Sequence, residues 1–391
     1  MENYVFFSIL IGLAAGWSLG YFYAFGRIKN IDSHQPSDSM KHRLQLFFDS
    51  YSDESIDRFI QSLDVTEETL SLHISIGKHF RTQGEVEKAI LVHQNLMAHP
   101  EISSKASEVI IYELAKDYRV AGLFDRAQAL LQQLKESRQF GLKSLRLLLE
   151  IHEIEKDWQS ALSEAQSIDF RKHKDISMRV AQYLCEISEQ SFSKGLYREA
   201  IQGYRQALNT SKECYRAHFG LAQIAFRNNE YAEALVQLKL LISLSPAHIM
   251  LTLPLFLEVT KSTDSYVQHQ QYLLKLMNET GQIPVMLAIV ESMLEEGNPD
   301  KASAFLFDHL NHSPSLSGLH KLFRIDVLSQ YSAEDILALV GRVLDEINFE
   351  QDGFKCMSCG FSSSQLHWLC PSCRSWQSIK PVIEYESSFQ K

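Results

Sequence analysis

Gly195-Leu196-Tyr197-Arg198-Glu199-Ala200 is the stretch on which the fold turns. A residue that tolerates a tight turn is followed, five positions later, by a small side chain at the start of an apolar helical pattern. The block returns as Gly84-Glu85-Val86-Glu87-Lys88-Ala89, Gly122-Leu123-Phe124-Asp125-Arg126-Ala127 and Gly297-Asn298-Pro299-Asp300-Lys301-Ala302. Polar residues replace the glycine in Lys156-Asp157-Trp158-Gln159-Ser160-Ala161 and in Asn229-Glu230-Tyr231-Ala232-Glu233-Ala234, and Tyr51-Ser52-Asp53-Glu54-Ser55 is a degenerate copy. The small position thus steps from Ser55 by 34, 38, 34, 39, 34 and 68 residues, the last interval being two periods. Two helices that cross closely need a small side chain there, because a larger one would wedge them apart.

A helix-turn-helix pattern with a period of 34 resembles the tetratricopeptide repeat. Pro246 and Pro314 each follow the small position by twelve residues and end the second helix of their unit. Pro254 suggests a bent helix, and the unit around Gln268 is degenerate. Ser332-Ala333-Glu334-Asp335 resembles a helix start within a last pair over 317–348. About eight such units would stack into a solenoid whose concave face binds segments of other proteins. The expected class is therefore all-α: an α-solenoid of tetratricopeptide repeats between an amino-terminal transmembrane helix and a small carboxyl-terminal metal ribbon.

From Asn3 to Gly26 no residue is charged and most are apolar, enough for a helix to cross a bilayer. A cleaved signal peptide would carry a basic start and a small-residue cleavage site, whereas Trp17, Tyr21, Phe22 and Tyr23 continue the run here. Arg27, Lys29, Lys41 and Arg43 follow the span and no basic residue precedes it, which leaves the body in the cytoplasm. Gly12, Gly16 and Gly20 stand four apart on one helix face, where they would let another helix approach: a membrane partner or a second copy, as in a homodimer. Glycine is also simply common in spanning helices.

Over 391 residues, 45% hydrophobic and 22% charged side chains describe a globular chain of more than one unit, and a net charge of −10 argues against a nucleic-acid binder. Cys356-Met357-Ser358-Cys359 and Cys370-Pro371-Ser372-Cys373 hold four of the six cysteines. Each C-x2-C can wrap its backbone around a metal with amides donating to sulfur, and two such knuckles complete a tetrahedral site for one iron or zinc ion. A dithiol redox motif would need only one such pair at a helix start. Phe354, Phe361, Trp368 and Trp376 are expected to form a miniature core around it, and His367 is not needed as a ligand. Cys185 and Cys214 read as small core residues. His73, His79, His93 and His218 stand singly, and no nucleophile, acid/base pair or phosphate loop appears, so no catalytic residue is assigned and binding is the expected role.

One spanning helix, a repeat array and a metal ribbon occur together with His79-Phe80-Arg81-x-x-Gly84-Glu85-Val86, Ala121-Gly122-Leu123-Phe124-Asp125-Arg126-Ala127 and Cys370-Pro371-Ser372-Cys373-Arg374-x-Trp376-x-x-Ile379-Lys380-Pro381. In these the chain resembles the lipopolysaccharide assembly protein B (LapB) family of Gram-negative inner-membrane proteins. The resemblance implies that Cys356, Cys359, Cys370 and Cys373 are the metal ligands of a rubredoxin-like ribbon. The insert between knuckles is ten residues, shorter than in rubredoxins, and Arg374 replaces their glycine, which argues against free-standing electron transfer. The division expected is 1–26 transmembrane anchor, 27–35 juxtamembrane linker, 36–349 repeat array and 350–391 rubredoxin-like metal-binding domain. The family further implies a non-enzymatic, single-pass adaptor of the bacterial inner membrane that regulates lipid A synthesis. It would promote degradation of the UDP-acyl-GlcNAc deacetylase LpxC, its client, by an FtsH-type membrane protease, and an inner-membrane antagonist would act through the membrane segment. Two alternatives stand beside this: a scaffold for lipopolysaccharide-synthesis enzymes, and a rubredoxin-type electron carrier.

Overall fold

The computed structural model describes residues 66–382 apart from 101, 264–265, 326–330 and 347–352. The expected membrane span, its glycines Gly12, Gly16 and Gly20, and the Tyr51–Ser55 copy lie outside the described residues. Among those described, no helix is long and apolar enough to cross a membrane. Sixteen α-helices and a three-stranded sheet make up the described chain, which divides into two compact units at Asp157/Trp158.

The first unit holds α1 (Glu67–Gln83), α2 (Val86–Met97), α3 (Ser104–Val120), α4 (Phe124–Gln133) and α5 (Gly141–Glu155). Thr66 and Thr69 cap α1 reciprocally, each side chain accepting from the other's amide at 3.3 and 2.9 Å. Its core gathers Leu114, Tyr118, Leu131, Leu148 and Ile151. The second unit begins with α6 (Trp158–Gln166) and α7 (Lys174–Ser193), followed by α8 (Tyr197–Thr210), α9 (Tyr215–Arg227) and α10 (Tyr231–Leu244). After a 3-10 turn at Pro246–His248 come α11 (Ile249–Lys261), α12 (Tyr266–Thr280), α13 (Ile283–Glu295), α14 (Pro299–His312), α15 (Leu316–Arg324) and α16 (Ala333–Glu346). One apolar cluster runs from Ala222 in α9 to Val343 in α16.

The repeat block is legible in the backbone. Gly84, Gly122, Gly195 and Gly297 take φ of 75–86°, and the polar substitutes Lys156 and Asn229 take 57° and 62°. At each of the six, the amide of the next residue reaches back to the carbonyl five residues earlier. Glu85 donates to Phe80 at 2.9 Å, Asp157 to His152 at 2.9 Å and Glu230 to Ala225 at 2.8 Å, which closes the first helix in a left-handed cap. Ala89, Ala127, Ala161, Ala200, Ala234 and Ala302 are all fully buried. The degenerate unit is helical as well: α11 continues through Pro254, and α12 follows it. Ser332 accepts from the Asp335 amide at 3.1 Å and so starts α16, as its pattern predicts.

The sheet follows the helices in the order β2-β1-β3, with β1 at Gly353–Cys356, β2 at Ser362–Ser363 and β3 at Ile379–Val382. Both pairings are antiparallel; Phe354 faces Ser363, and Cys356 faces Ile379.

Candidate metal centre

The two Cys-x-x-Cys turns are built alike. In the first, Gly360 donates to the Cys356 carbonyl at 2.9 Å, and the Cys356 amide donates to Phe361 at 2.7 Å. In the second, Arg374 donates to Cys370 at 3.0 Å, and the Cys370 amide donates to Ser375 at 3.1 Å. Gly360 closes its turn at φ 78° and Arg374 closes the matching turn at φ 56°. The arginine that replaces a glycine therefore still adopts the glycine's backbone, at a cost of roughly 1–2 kcal/mol.

These turns bring Cys356, Cys359, Cys370 and Cys373 together, all four sulfurs lying within 4.8 Å of one another. Cys356 and Cys370 are buried, while Cys359 and Cys373 are exposed. The Cys356–Cys373 and Cys359–Cys370 sulfur separations are 3.6 and 3.8 Å. A tetrahedron with metal–sulfur bonds of about 2.3 Å has edges of about 3.8 Å, so the four thiols fit one tetrahedral ion. The Ser378 hydroxyl, 3.2 Å from the Cys356 sulfur, and then the Ser358 and Cys359 amides bring that thiol down to about 6. The Ser375 hydroxyl and amide likewise lower Cys373, whereas burial pushes Cys370 up to about 11. An ion here would replace the thiol protons and clip the two turns together, a structural chemistry that zinc and iron both supply. His367 bonds Ser363 at 3.2 Å and is not among the grouped ligands.

The aromatic residues depart from expectation. Phe354 and Phe361 do pack with Leu366 on Cys356, Cys370 and Ile379. Trp368 and Trp376 instead turn onto the helices. Trp376 meets Trp158 of α6 and Tyr183 of α7 with centroids 5.9 and 6.2 Å apart. Trp368 lies 5.7 Å from Tyr215 of α9 and 6.2 Å from His248, with the Arg216 guanidinium 5.4 Å over its ring. Strands of four, two and four residues frame only a small core, and against the array Trp376 is buried and Trp368 half-buried. The Tyr215 hydroxyl also donates to the Gln377 carbonyl at 3.2 Å. The ribbon is thus seated on α6, α7, α9 and the Pro246–His248 turn.

Each unit also brings together groups that single positions in the sequence do not announce. Arg216 is almost wholly buried and is held by Glu189 through two bonds, at 2.8 and 2.7 Å, and by Glu186 at 2.9 Å. Gly220 allows Tyr204 to lie against α9, since a Cβ there would stand 2.3 Å from the tyrosine ring. In the first unit, Arg81 binds Asp117 at 2.6 Å and Glu113 at 2.7 Å, and buried His93 bonds the other Asp117 oxygen. Against the upward push of burial, Lys116, Lys78 and Arg81 hold Glu113 below the usual carboxylate range. His93 is thus a buried partner of Asp117.

Repeat array and ribbon together define a class: a helical-repeat protein that carries a tetrathiolate metal ribbon. Residues 354–381 match the family model described as a rubredoxin metal binding domain, and 192–247 match that of the tetratricopeptide repeat. Over nearly its full length the chain is similar to lipopolysaccharide assembly protein B. It is 24% identical to that of Escherichia coli strain K12 over 98% of both chains. It is 27% identical to that of Haemophilus influenzae over 99% of this chain and 100% of the relative. The resemblance read from the sequence is borne out. Among solved structures it is similar to the MamA protein (17% identity, 47% of this chain and 96% of that one, TM-score 0.33). It is also similar to a tetratricopeptide repeat protein from Parabacteroides merdae (14% identity, 71% and 99%, TM-score 0.35). Both scores are too low to carry a functional reading.

Proposed function

We propose that this chain is a non-enzymatic adaptor in lipopolysaccharide assembly. It is tethered to the bacterial inner membrane by residues 1–26, with its body in the cytoplasm, and it presents the lipid A deacetylase to an FtsH-type membrane protease. The observation that carries the reading is the similarity along the whole chain to relatives named lipopolysaccharide assembly protein B. The architecture supports it physically. A repeat array offers extended binding surface rather than a reaction pocket, and tethering raises the adaptor's effective concentration beside a membrane-bound protease. The Gly12, Gly16 and Gly20 face would receive a membrane antagonist or a second copy, and Cys356, Cys359, Cys370 and Cys373 would hold one zinc or iron ion in a structural role.

The test is the deacetylase's half-life after protein synthesis is blocked in the host, with and without this chain. A half-life that lengthens on loss of the chain supports proteolytic delivery. An unchanged half-life removes it and leaves the scaffold, which the word assembly in the relatives' name favours.

A further inference from the structure

Beneath the ribbon lies a second pair of thiols. Cys185, on α7, and Cys214, the residue that opens α9, are separated by 29 positions, yet their sulfurs stand 3.5 Å apart and both are buried. Cys214 is the better nucleophile of the two. The Gln182 side-chain amide donates to its sulfur at 3.4 Å, and that of Gln377, from the ribbon, at 4.0 Å. The Cys185 thiol, the Ala217 amide and the Arg216 charge also favour its thiolate and lower its pKa, while burial raises Cys185. A sulfur at a helix start, beside a guanidinium and several donors, is the environment that activates thiols, but one sealed from solvent is inert. The seal here includes the ribbon: Gln377 touches Cys214, the next residue Tyr215 binds the Gln377 carbonyl, and Trp376 is lodged against Trp158 and Tyr183.

We propose that Cys185 and Cys214 form a redox-modification site, a dithiol that a peroxide closes to a disulfide once the ribbon lifts from the array. In the first step the Cys214 thiolate attacks one peroxide oxygen, the O–O bond breaks, and the departing hydroxide takes a proton to leave as water. In the second, the Cys185 thiol attacks the resulting sulfenic sulfur and gives up its proton as it does so, and the displaced hydroxyl takes that proton to leave as a second water. Two thiols are oxidised, one peroxide is reduced, and the bond ties α7 to the start of α9. Cys214 is then no longer the acceptor for Gln377, so the oxidised array offers the ribbon an altered seat.

The experiment uses the full chain in detergent, loaded with metal and treated with hydrogen peroxide. The Cys185–Cys214 cross-linked peptide is followed by mass spectrometry, alongside metal content and helical circular dichroism. Trp376→Ala loosens the ribbon, and the milder Tyr215→Phe removes only the bond to Gln377. Slow cross-linking in the parent, at least about tenfold faster in whichever variant keeps its helix content, is the expected result. Cys185→Ala should stop at a Cys214 sulfenic acid that a dione probe traps. Absence of the cross-link in parent and variants alike overturns the dithiol, and equal rates in all of them overturn control by the ribbon.

Discussion

His248 should make the ribbon's seat sensitive to pH. Its ring is 1% exposed, packed 4.5 Å from the Tyr215 centroid and 6.2 Å from Trp368, with Nδ1 sharing a hydrogen bond with Ser245 Oγ at 2.7 Å. Burial, and after it the Lys380 charge on β3, push its pKa from 6.5 down to about 4. Because the folded-state value is depressed, the unfolded chain takes up the proton first as pH falls. The stability that goes with the neutral ring is therefore complete above 6.5 and is lost progressively down to about 4. Between about pH 7.5 and about pH 5 the loss from this one group is roughly 2 kcal/mol. The assay is urea unfolding at both pH values, followed by tryptophan fluorescence, since Trp158, Trp368 and Trp376 all lie at the seat. Acid also weakens metal binding to thiolates, so His248→Phe, which keeps a ring against Tyr215 and Trp368, is measured in parallel with metal in excess. The parent should lose roughly 2 kcal/mol more than the variant. Equal losses would refute the assignment of the buried neutral imidazole.

Three further outcomes follow from the turns and the metal centre. Gly195→Ala, forced to keep φ near 78°, should destabilise the chain by about 1 kcal/mol in urea unfolding. Lys156→Gly and Asn229→Gly should change stability in the opposite direction by only a few tenths of a kcal/mol, since glycine's freedom in the unfolded chain offsets much of the relieved strain. Cys356→Ser should abolish stoichiometric metal, measured by elemental analysis, and shift the tryptophan emission to the red as Trp376 leaves Trp158, while helical circular dichroism is retained. A variant that keeps one metal per chain would remove Cys356 from the ligand set.

The repeat was legible because each unit repeats one local geometry. A left-handed residue and a buried alanine five positions later obey rules of backbone and volume that any copy must satisfy, and Lys156 and Asn229 were found in the glycine's place by phase alone. The four ribbon thiols were legible for the same reason, since a two-residue spacing is itself a turn. The destination of Trp368 and Trp376 was not, because it depends on Trp158, Tyr183 and Tyr215, which lie more than a hundred residues away in sequence. Local composition placed the indoles in the nearest core, and only the small size of that core argued otherwise. Cys185 and Cys214 likewise fit their own helical patterns as small residues, and only the antiparallel return of α7 through α8 to α9 makes them neighbours. Arg81, Glu113 and Asp117 were not legible either, since the arginine meets its partners across 32 and 36 residues of sequence.

The seat also explains why so small a ribbon can be a dependable part of the surface. A segment of this length cannot fold on its own apolar burial, and its inner core amounts to Phe354, Phe361, Leu366 and Ile379 around two sulfurs. Its order would have two further sources: an ion, if four thiolates held one, whose binding free energy is folding free energy, and the packing of Trp368 and Trp376 on the array. The two are coupled, because Cys370 and Cys373 stand on the same short loop as both indoles, and Leu369 pairs with Trp376 across it. An ion that fixes the loop presents the indoles in register with Trp158, Tyr183 and Tyr215. Seating the indoles in turn holds the thiols in a tetrahedron. Metal affinity should therefore fall when Trp376 is truncated, although it contributes no ligand; an unchanged affinity in a competition titration would show that ribbon and array fold independently.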